Sequence, residues 1–251
     1  MNDTRRTPRL GQIVAGVAGL AIGASAVALA APGQSAPQPN LDRTAMEQMI
    51  RDYILGHPEI IPEAMTRLQE RESAKLVATS RAAIEKPFAS AWAGAQNADV
   101  TLVEFYDYAC TYCKASVPDI ERLLREDKSL RVVFRELPIL SDQSDVAARV
   151  SLSAAKQGRF MDFHRRMFAT GRPTEAEIAA ARTATRLDAA AVARDMKAAD
   201  VQQEIDANLA LARTLSLTGT PSFIVGDRIL SGAVGYDALK KAVAEARAAK
   251  G

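Results

Sequence analysis

Metal-binding side chains are scarce in this sequence. Among its 251 residues are two cysteines and two histidines. A structural zinc site takes about four such ligands, and His57 and His164 both lie far along the chain from the cysteines. The residues therefore argue against a metal centre. Aromatic side chains are also few, at 5% with one tryptophan, which predicts an aliphatic core. An excess of charge is missing as well. The formal net charge is +2, and residues 1–31 carry Arg5, Arg6 and Arg9 against Asp3. The excess lies in that leader, and the rest of the chain is neutral. It has none of the basic excess by which nucleic-acid binding is recognised. The length allows one sizeable core plus extensions.

Strongly apolar runs are lacking too. The longest candidate, Leu10 to Ala31, is mostly Ala, Gly, Val and Leu. It follows a basic start and contains Ala28-Leu29-Ala30, an A-x-A cleavage pattern. Residues 1–31 read as an export signal cleaved after Ala30. The rival reading is a retained anchor to the inner membrane through residues 10–31, since the run is about long enough to span a bilayer. In either case the remainder faces an oxidising compartment. Residues 32–40, rich in Pro, Gln and Ser, read as a linker.

What is present is concentrated in Val103-Glu104-Phe105-Tyr106-Asp107-Tyr108-Ala109-Cys110-Thr111-Tyr112-Cys113-Lys114. Both cysteines stand here at C-x-x-C spacing, after an apolar strand and at the start of a helix. Helix N-terminal N–H groups and the positive end of the dipole favour a thiolate at the first sulfur. Cys110 reads as the nucleophile and Cys113 as the more buried resolving thiol. A metal site, a structural disulfide and two unrelated buried thiols are the competing readings. So small a disulfide ring would constrain little chain entropy, and strand, C-x-x-C, helix is the context of redox chemistry. Pro118 falls inside the helix that the pair begins. Much later comes Thr218-Gly219-Thr220-Pro221-Ser222-Phe223-Ile224-Val225, where an X-Pro bond directly precedes a short strand.

Together these motifs resemble the thioredoxin fold. The long intervening helical segment and the Phe-Tyr-Asp-Tyr-x-Cys approach to the pair are similar to the DsbA family of thiol–disulfide oxidoreductases. The resemblance covers about residues 88–248. Arg51-Asp52-Tyr53-Ile54-Leu55-x-His57-Pro58-Glu59-Ile60-Ile61 resembles the N-terminal segment of ScsC-like relatives, some of which oligomerise through it. The fold class implied is α/β: a thioredoxin fold over 87–251 with a helical insertion at about 141–216, preceded by an N-terminal helical extension at 41–86. The resemblance also implies that the Thr218–Pro221 loop lies against the cysteines, making Pro221 part of the catalytic site. Thr220, Thr111 and Tyr112 would border the substrate. Glu104 matches an acidic family position that takes the Cys113 proton. The competing reading of Glu104 is a solvent-facing strand carboxylate. Asp107 and Tyr108 read as loop supports.

Apolar periodicity fills in the elements. Helices are expected at Asp42–Leu55, with Met46, Met49, Ile50, Tyr53 and Ile54 on one face, and from near Pro58 to Ile84. Their stripe either packs on its own domain or drives self-association through residues 41–85. His57 falls in the turn between them. A short edge strand is expected within 86–99, and strands at Val100–Tyr106 and Arg131–Glu136. Helices follow at Ala147–Lys156, Phe160–Ala169, Thr174–Arg182, Asp188–Ala198 and Val201–Leu215, forming a lid beside the thiols. His164, beside the apolar period of its helix, reads as a surface or packing residue. Strands Phe223–Val225 and Ile229–Ser231 and a helix from Asp237 complete the chain.

The functional expectation is an exported, periplasmic enzyme that forms or shuffles disulfides in cysteine-containing exported proteins. It needs no small-molecule cofactor and no metal beyond the Cys110–Cys113 pair, and it is served by a membrane redox partner. Thr111-Tyr112 lacks the Pro-His of the strongest oxidases of the family, and Thr220 resembles isomerases, so the resemblance favours shuffling. The alternatives are a dedicated oxidase and an exported chaperone or scaffold without turnover.

Overall fold

The computed structural model of the protein describes residues 42–250. The leader and linker expectations lie outside those residues. Among the described helices none is long and apolar enough to cross a membrane. The chain divides after Gly56 into two units. The described part of the first is one helix, α1 (Arg43–Gly56), which buries no residue. Met46, Met49, Ile50, Tyr53 and Leu55 all stand exposed on it.

The second unit begins with the 26-residue helix α2 (Ile60–Glu85). Its early apolar residues Ile61, Met65 and Leu68 are exposed, whereas Val77 and Ile84 are buried. Strands β1 (Trp92–Gly94) and β2 (Val100–Tyr106) follow, then α3 (Thr111–Glu126) and β3 (Leu130–Glu136). The helical insertion comprises α4 (Asp142–Lys156), α5 (Phe160–Ala169), α6 (Glu175–Ala184), α7 (Ala189–Asp195) and α8 (Ala199–Thr214). The chain ends with β4 (Ser222–Val225), β5 (Arg228–Ser231) and α9 (Tyr236–Ala248). The expected elements are all present. The largest boundary difference is α4, which starts five residues before Ala147. Ser141 caps it, its hydroxyl accepting from the Ser144 N–H at 3.1 Å, and Asp142 and Asp145 sit in the first turn. A polar cap and first turn carry no apolar period, so periodicity reads such a helix late.

The five strands pair in the order β1-β3-β2-β4-β5. Only β2 and β3 are parallel. All seven residues of β2 are buried, as expected for a central strand covered on both faces. Leu102, Tyr106, Val132, Phe134 and Phe223 pack with α3, α9 and the insertion. Val103, Phe105, Val133 and Ile224 pack with Val77 and Ile84 of α2 and with Ala212 and Leu215 at the end of the insertion.

The core departs from the aliphatic expectation on the first face. Tyr106, Tyr108, Phe134, Phe160, Phe163 and Phe168 converge there around His164, with neighbouring ring centroids about 5–6 Å apart. The aromatics are few but gathered, and edge-to-face pairs of this kind add stability beyond their buried area.

Arg135 ties α2 to the opposite face. It is almost fully buried. Its guanidinium donates to the carbonyls of Ile84 at 2.8 Å, Lys86 at 2.6 Å and Ala83, all at the end of α2. It also reaches Asn208 Oδ1 at 2.6 Å and Glu204 Oε1 at 3.0 Å on α8. One side chain thus serves the carbonyls that a helix C-terminus leaves unpaired. Arg135→Ala strands these acceptors in the interior and is expected to cost about 3 kcal/mol or more. The urea unfolding midpoint measures it. An unchanged midpoint contradicts this role.

Candidate active site

Cys110 is the N-cap residue of α3, with extended backbone (φ −82°, ψ 114°). That geometry turns its sulfur back over the first helical turn, where the Cys113 N–H donates to Cys110 Sγ at 3.1 Å. On its other side the Cys110 thiol donates to the Thr220 carbonyl at 3.2 Å. The Thr220–Pro221 peptide bond is cis. The pairing of Phe105 with Ser222 across β2 and β4 brings this loop to the cysteines. Both cysteines are free thiols. Cys110 is 6% exposed and Cys113 not at all. Thr111 and Tyr112 stand in solvent beside them.

The surroundings separate the two sulfurs. The Cys110 thiol is lowered to about 6, chiefly by the hydrogen bond from the Cys113 side chain. The Thr220 side chain and the N–H groups of Cys113 and Tyr112 add to this, against burial. Thr220 Oγ1 is buried without a hydrogen-bond partner beside the thiol form, which leaves it available to the thiolate. Cys113 is pushed far upward, first by burial, then by its bond to Cys110 and by the charge of Glu104. One sulfur is a ready nucleophile, and the other holds its proton.

Glu104 is 1% exposed, so the solvent-facing reading does not hold. Neither carboxyl oxygen has a hydrogen-bond partner. Burial, and then the charge of Cys110, raise it to about 8. A carboxyl kept neutral near physiological pH can give a proton to a sulfur and take it back. The structure brings Glu104, Cys110, Cys113, Thr220 and Pro221 to one end of the sheet. Asp107 supports the loop as expected, accepting from the Ala109 N–H at 2.7 Å.

Sequence reasoning missed a second buried polar group. Glu136 accepts from the Tyr106 hydroxyl. Tyr106 OH lies 3.3 Å from Tyr108 OH, which bonds Ser151 Oγ at 2.9 Å and His164 Nδ1 at 3.3 Å. His164 is 1% exposed; its packing role is borne out and a surface position is not. Burial lowers His164 to about 3 and raises Glu136 well above the carboxylate range. No sequence pattern marks it, because the contact depends on register: Tyr106 lies opposite Glu136 and Glu104 opposite Phe134 on one sheet face.

Glu104 makes folding stability depend on pH with a definite sign. Below pH 4.5 both folded and unfolded chains hold its proton, whereas between 4.5 and about 8 mainly the unfolded chain releases it. Its contribution is therefore lost as pH rises through that window, by about 1.4 kcal/mol per unit. The stability of Glu104→Gln relative to the parent is expected to increase by roughly 3 kcal/mol from pH 4.5 to 7. Urea unfolding of the reduced proteins across that range checks this, and a difference independent of pH contradicts it.

The family model described as DSBA-like thioredoxin domain matches residues 101–244. A second, described as Copper resistance protein ScsC N-terminal domain, matches residues 42–75. A thioredoxin-like oxidoreductase from Silicibacter pomeroyi DSS-3 is 37% identical, over 66% of this chain and 95% of that one, with a TM-score of 0.63. A linker-deletion mutant of Proteus mirabilis ScsC is 30% identical, over 86% of this chain and all of that one, with a TM-score of 0.66. Among curated relatives, the Na(+)/H(+) antiporter NhaA 3 of Salinispora tropica is 33% identical over 160 residues, which is 61% of this chain. The chain spans about a quarter of that relative's length (24%). On the matched domain, its fold and its paired cysteines, the chain belongs to the DSBA-like thioredoxin family, in the ScsC-like form that carries an N-terminal helical segment.

Proposed function

We propose that the protein is an exported thiol–disulfide oxidoreductase acting on cysteine-containing proteins of the periplasm. The observation that carries this reading is the unequal pair of thiols: Cys110 at the helix N-cap with its pKa near 6, and Cys113 beneath it, buried and protonated. In the reducing direction the Cys110 thiolate attacks a substrate disulfide. A bond forms from Cys110 Sγ to one substrate sulfur, and the other leaves as thiolate. Cys113 then gives its proton to the ionised Glu104 and attacks Cys110 Sγ, closing the disulfide and releasing the second substrate thiolate. In the oxidising direction a substrate thiolate attacks Cys110 of the disulfide form, and Cys113 leaves, taking its proton from neutral Glu104. Electrons pass only between sulfurs, so no small-molecule cofactor enters. A membrane redox partner would reset the pair. The backbone of the Thr218–Pro221 loop is the surface for an extended substrate, with Thr111, Tyr112 and Thr220 around it.

Two observations support shuffling over dedicated oxidation. A thiol near 6 lies closer to the about 7 of thioredoxin than to the about 3.5 of the strongest oxidases. The apolar stripes of α1 and of the first half of α2 are exposed, which suits self-association through residues 41–85. An assembly with several thiol sites can hold one substrate while bonds rearrange.

The test uses the protein with residues 42–250 intact. Its reduction potential in glutathione buffers is expected near about −180 mV rather than about −120 mV. It should restore activity to a scrambled disulfide substrate and sediment as more than a monomer. Cys110→Ala should abolish the restoration while leaving the fold. Full restoration by Cys110→Ala would indicate the scaffold reading. A potential near the oxidising value, with no restoration by the parent, would indicate the dedicated oxidase.

A further inference from the structure

Beyond α2, the exposed large apolar side chains among the described residues are three: Tyr112, Ile139 and Leu140. All belong to the end of the sheet that carries the thiols. Tyr112 stands between the two cysteines in the chain. Ile139 and Leu140, 48% and 52% exposed, lie in the short segment between β3 and α4. Single apolar side chains on a surface need no explanation. An adjacent pair, fixed at a reactive site, does.

The pair is fixed by its neighbours. Before it, the Leu137 N–H donates to the Tyr106 carbonyl at 2.7 Å, and the ring of Pro138 sets the backbone angle. After it, Ser141 caps α4. Beneath it, Oδ2 of Asp107 accepts from the N–H groups of Ile139 and Leu140, both at 2.9 Å. Asp107 is 1% exposed. Its Oδ1 accepts from the Ala109 N–H at 2.7 Å, and its carbonyl accepts from the Cys110 N–H at 3.0 Å. One buried residue therefore holds both the apolar pair and the turn that carries the nucleophile. The N–H groups of the pair are taken up by Asp107, so what the pair offers a partner is side-chain surface. A surface already held in place loses little freedom when a partner settles on it.

We propose that Ile139 and Leu140 dock the apolar side chains that flank the reacting cysteine of an unfolded substrate chain. A folded protein buries such side chains, and an unfolded one presents them beside its cysteines. Continuity with the Cys110 turn selects this occupant. A chain whose sulfur reaches Cys110 passes close to the loop fastened to that turn, whereas a second copy seated there permanently would obstruct the thiol. The site thereby favours chains that have not yet buried their cysteines. The proposal rests on the exchange reading above and names the substrate class of the same site.

The test compares two symmetrical peptide disulfides and oxidised glutathione. One peptide has leucine and phenylalanine beside its cysteine, the other serine and asparagine. In each case the Cys110 thiolate of the reduced protein attacks one sulfur. A bond forms from Cys110 Sγ to that sulfur, the old disulfide breaks, and the other half leaves as thiolate. The second-order rate constant is read. The parent is expected to favour the apolar peptide about tenfold. Ile139→Thr/Leu140→Gln keeps the bulk of the pair and makes it polar, and Ile139→Ala/Leu140→Ala shortens it. Both are expected to bring the preference below about threefold while changing the glutathione rate by less than about twofold. A preference that survives both substitutions overturns the proposal, as does a parent without one, or failure of both variants to fold by circular dichroism. Equal slowing with all three disulfides marks a loosened site and overturns it too. So does a smaller sedimenting species in the variants, which would assign the pair to a second copy. A parent that fails to react even with oxidised glutathione would remove the exchange reading as well.

Discussion

The hydrogen bond from the Cys113 N–H to Cys110 Sγ is the interaction on which the site depends. It exists because Cys110 is not helical, whereas Cys113 is already inside the first turn of α3. The same geometry leaves Cys110 at the mouth of the site and sinks Cys113 into the core with Tyr106, Phe163 and Phe168. The Cys113 side chain and the N–H donor favour a thiolate at the first sulfur against its burial, and deeper burial forbids one at the second. Two chemically identical side chains, three positions apart, thereby take opposite roles.

The rest of the fold holds that geometry in place. Strand β2 is buried throughout and ends at the turn before Cys110. Its parallel neighbour β3 brings Glu136 and the Ile139–Leu140 loop alongside, and its antiparallel neighbour β4 brings Thr220 and Pro221. Glu104 sits on the same face as Tyr106. A buried carboxyl without a partner is costly, and its cost here falls on folding rather than on the reaction. On the opposite face, Arg135 joins the end of α2 to the sheet and the insertion.

Much of this was legible in the sequence, for local reasons. C-x-x-C between a strand and a helix, Pro118 within that helix and Thr-Pro before a strand are each short-range signals, and each lies where it was expected. The helices of the insertion were legible from their apolar period, except where polar caps such as Ser141 begin them. What the sequence could not show depends on register and on the third dimension. Glu104 is silent as to exposure until α3 covers its face of β2. His164 lies off the strongest period of its own helix, and its burial comes from tyrosines 106 and 108, more than fifty residues away. Glu136 read as the end of a strand, and Tyr106 made it part of the interior. The small aromatic content suggested an aliphatic core, but composition says nothing about where those rings gather.

The central claim is that one thiol ionises easily and the other does not. A pH titration of thiolate ultraviolet absorbance in the reduced protein tests it most directly. A single step is expected, of the amplitude of one thiolate and centred near pH 6, which disappears in Cys110→Ala. Further thiolate should be absent through the neutral range, because Cys113 keeps its proton. A step near the ordinary thiol value of about 8.5, or an amplitude of two thiolates near neutrality, would contradict it.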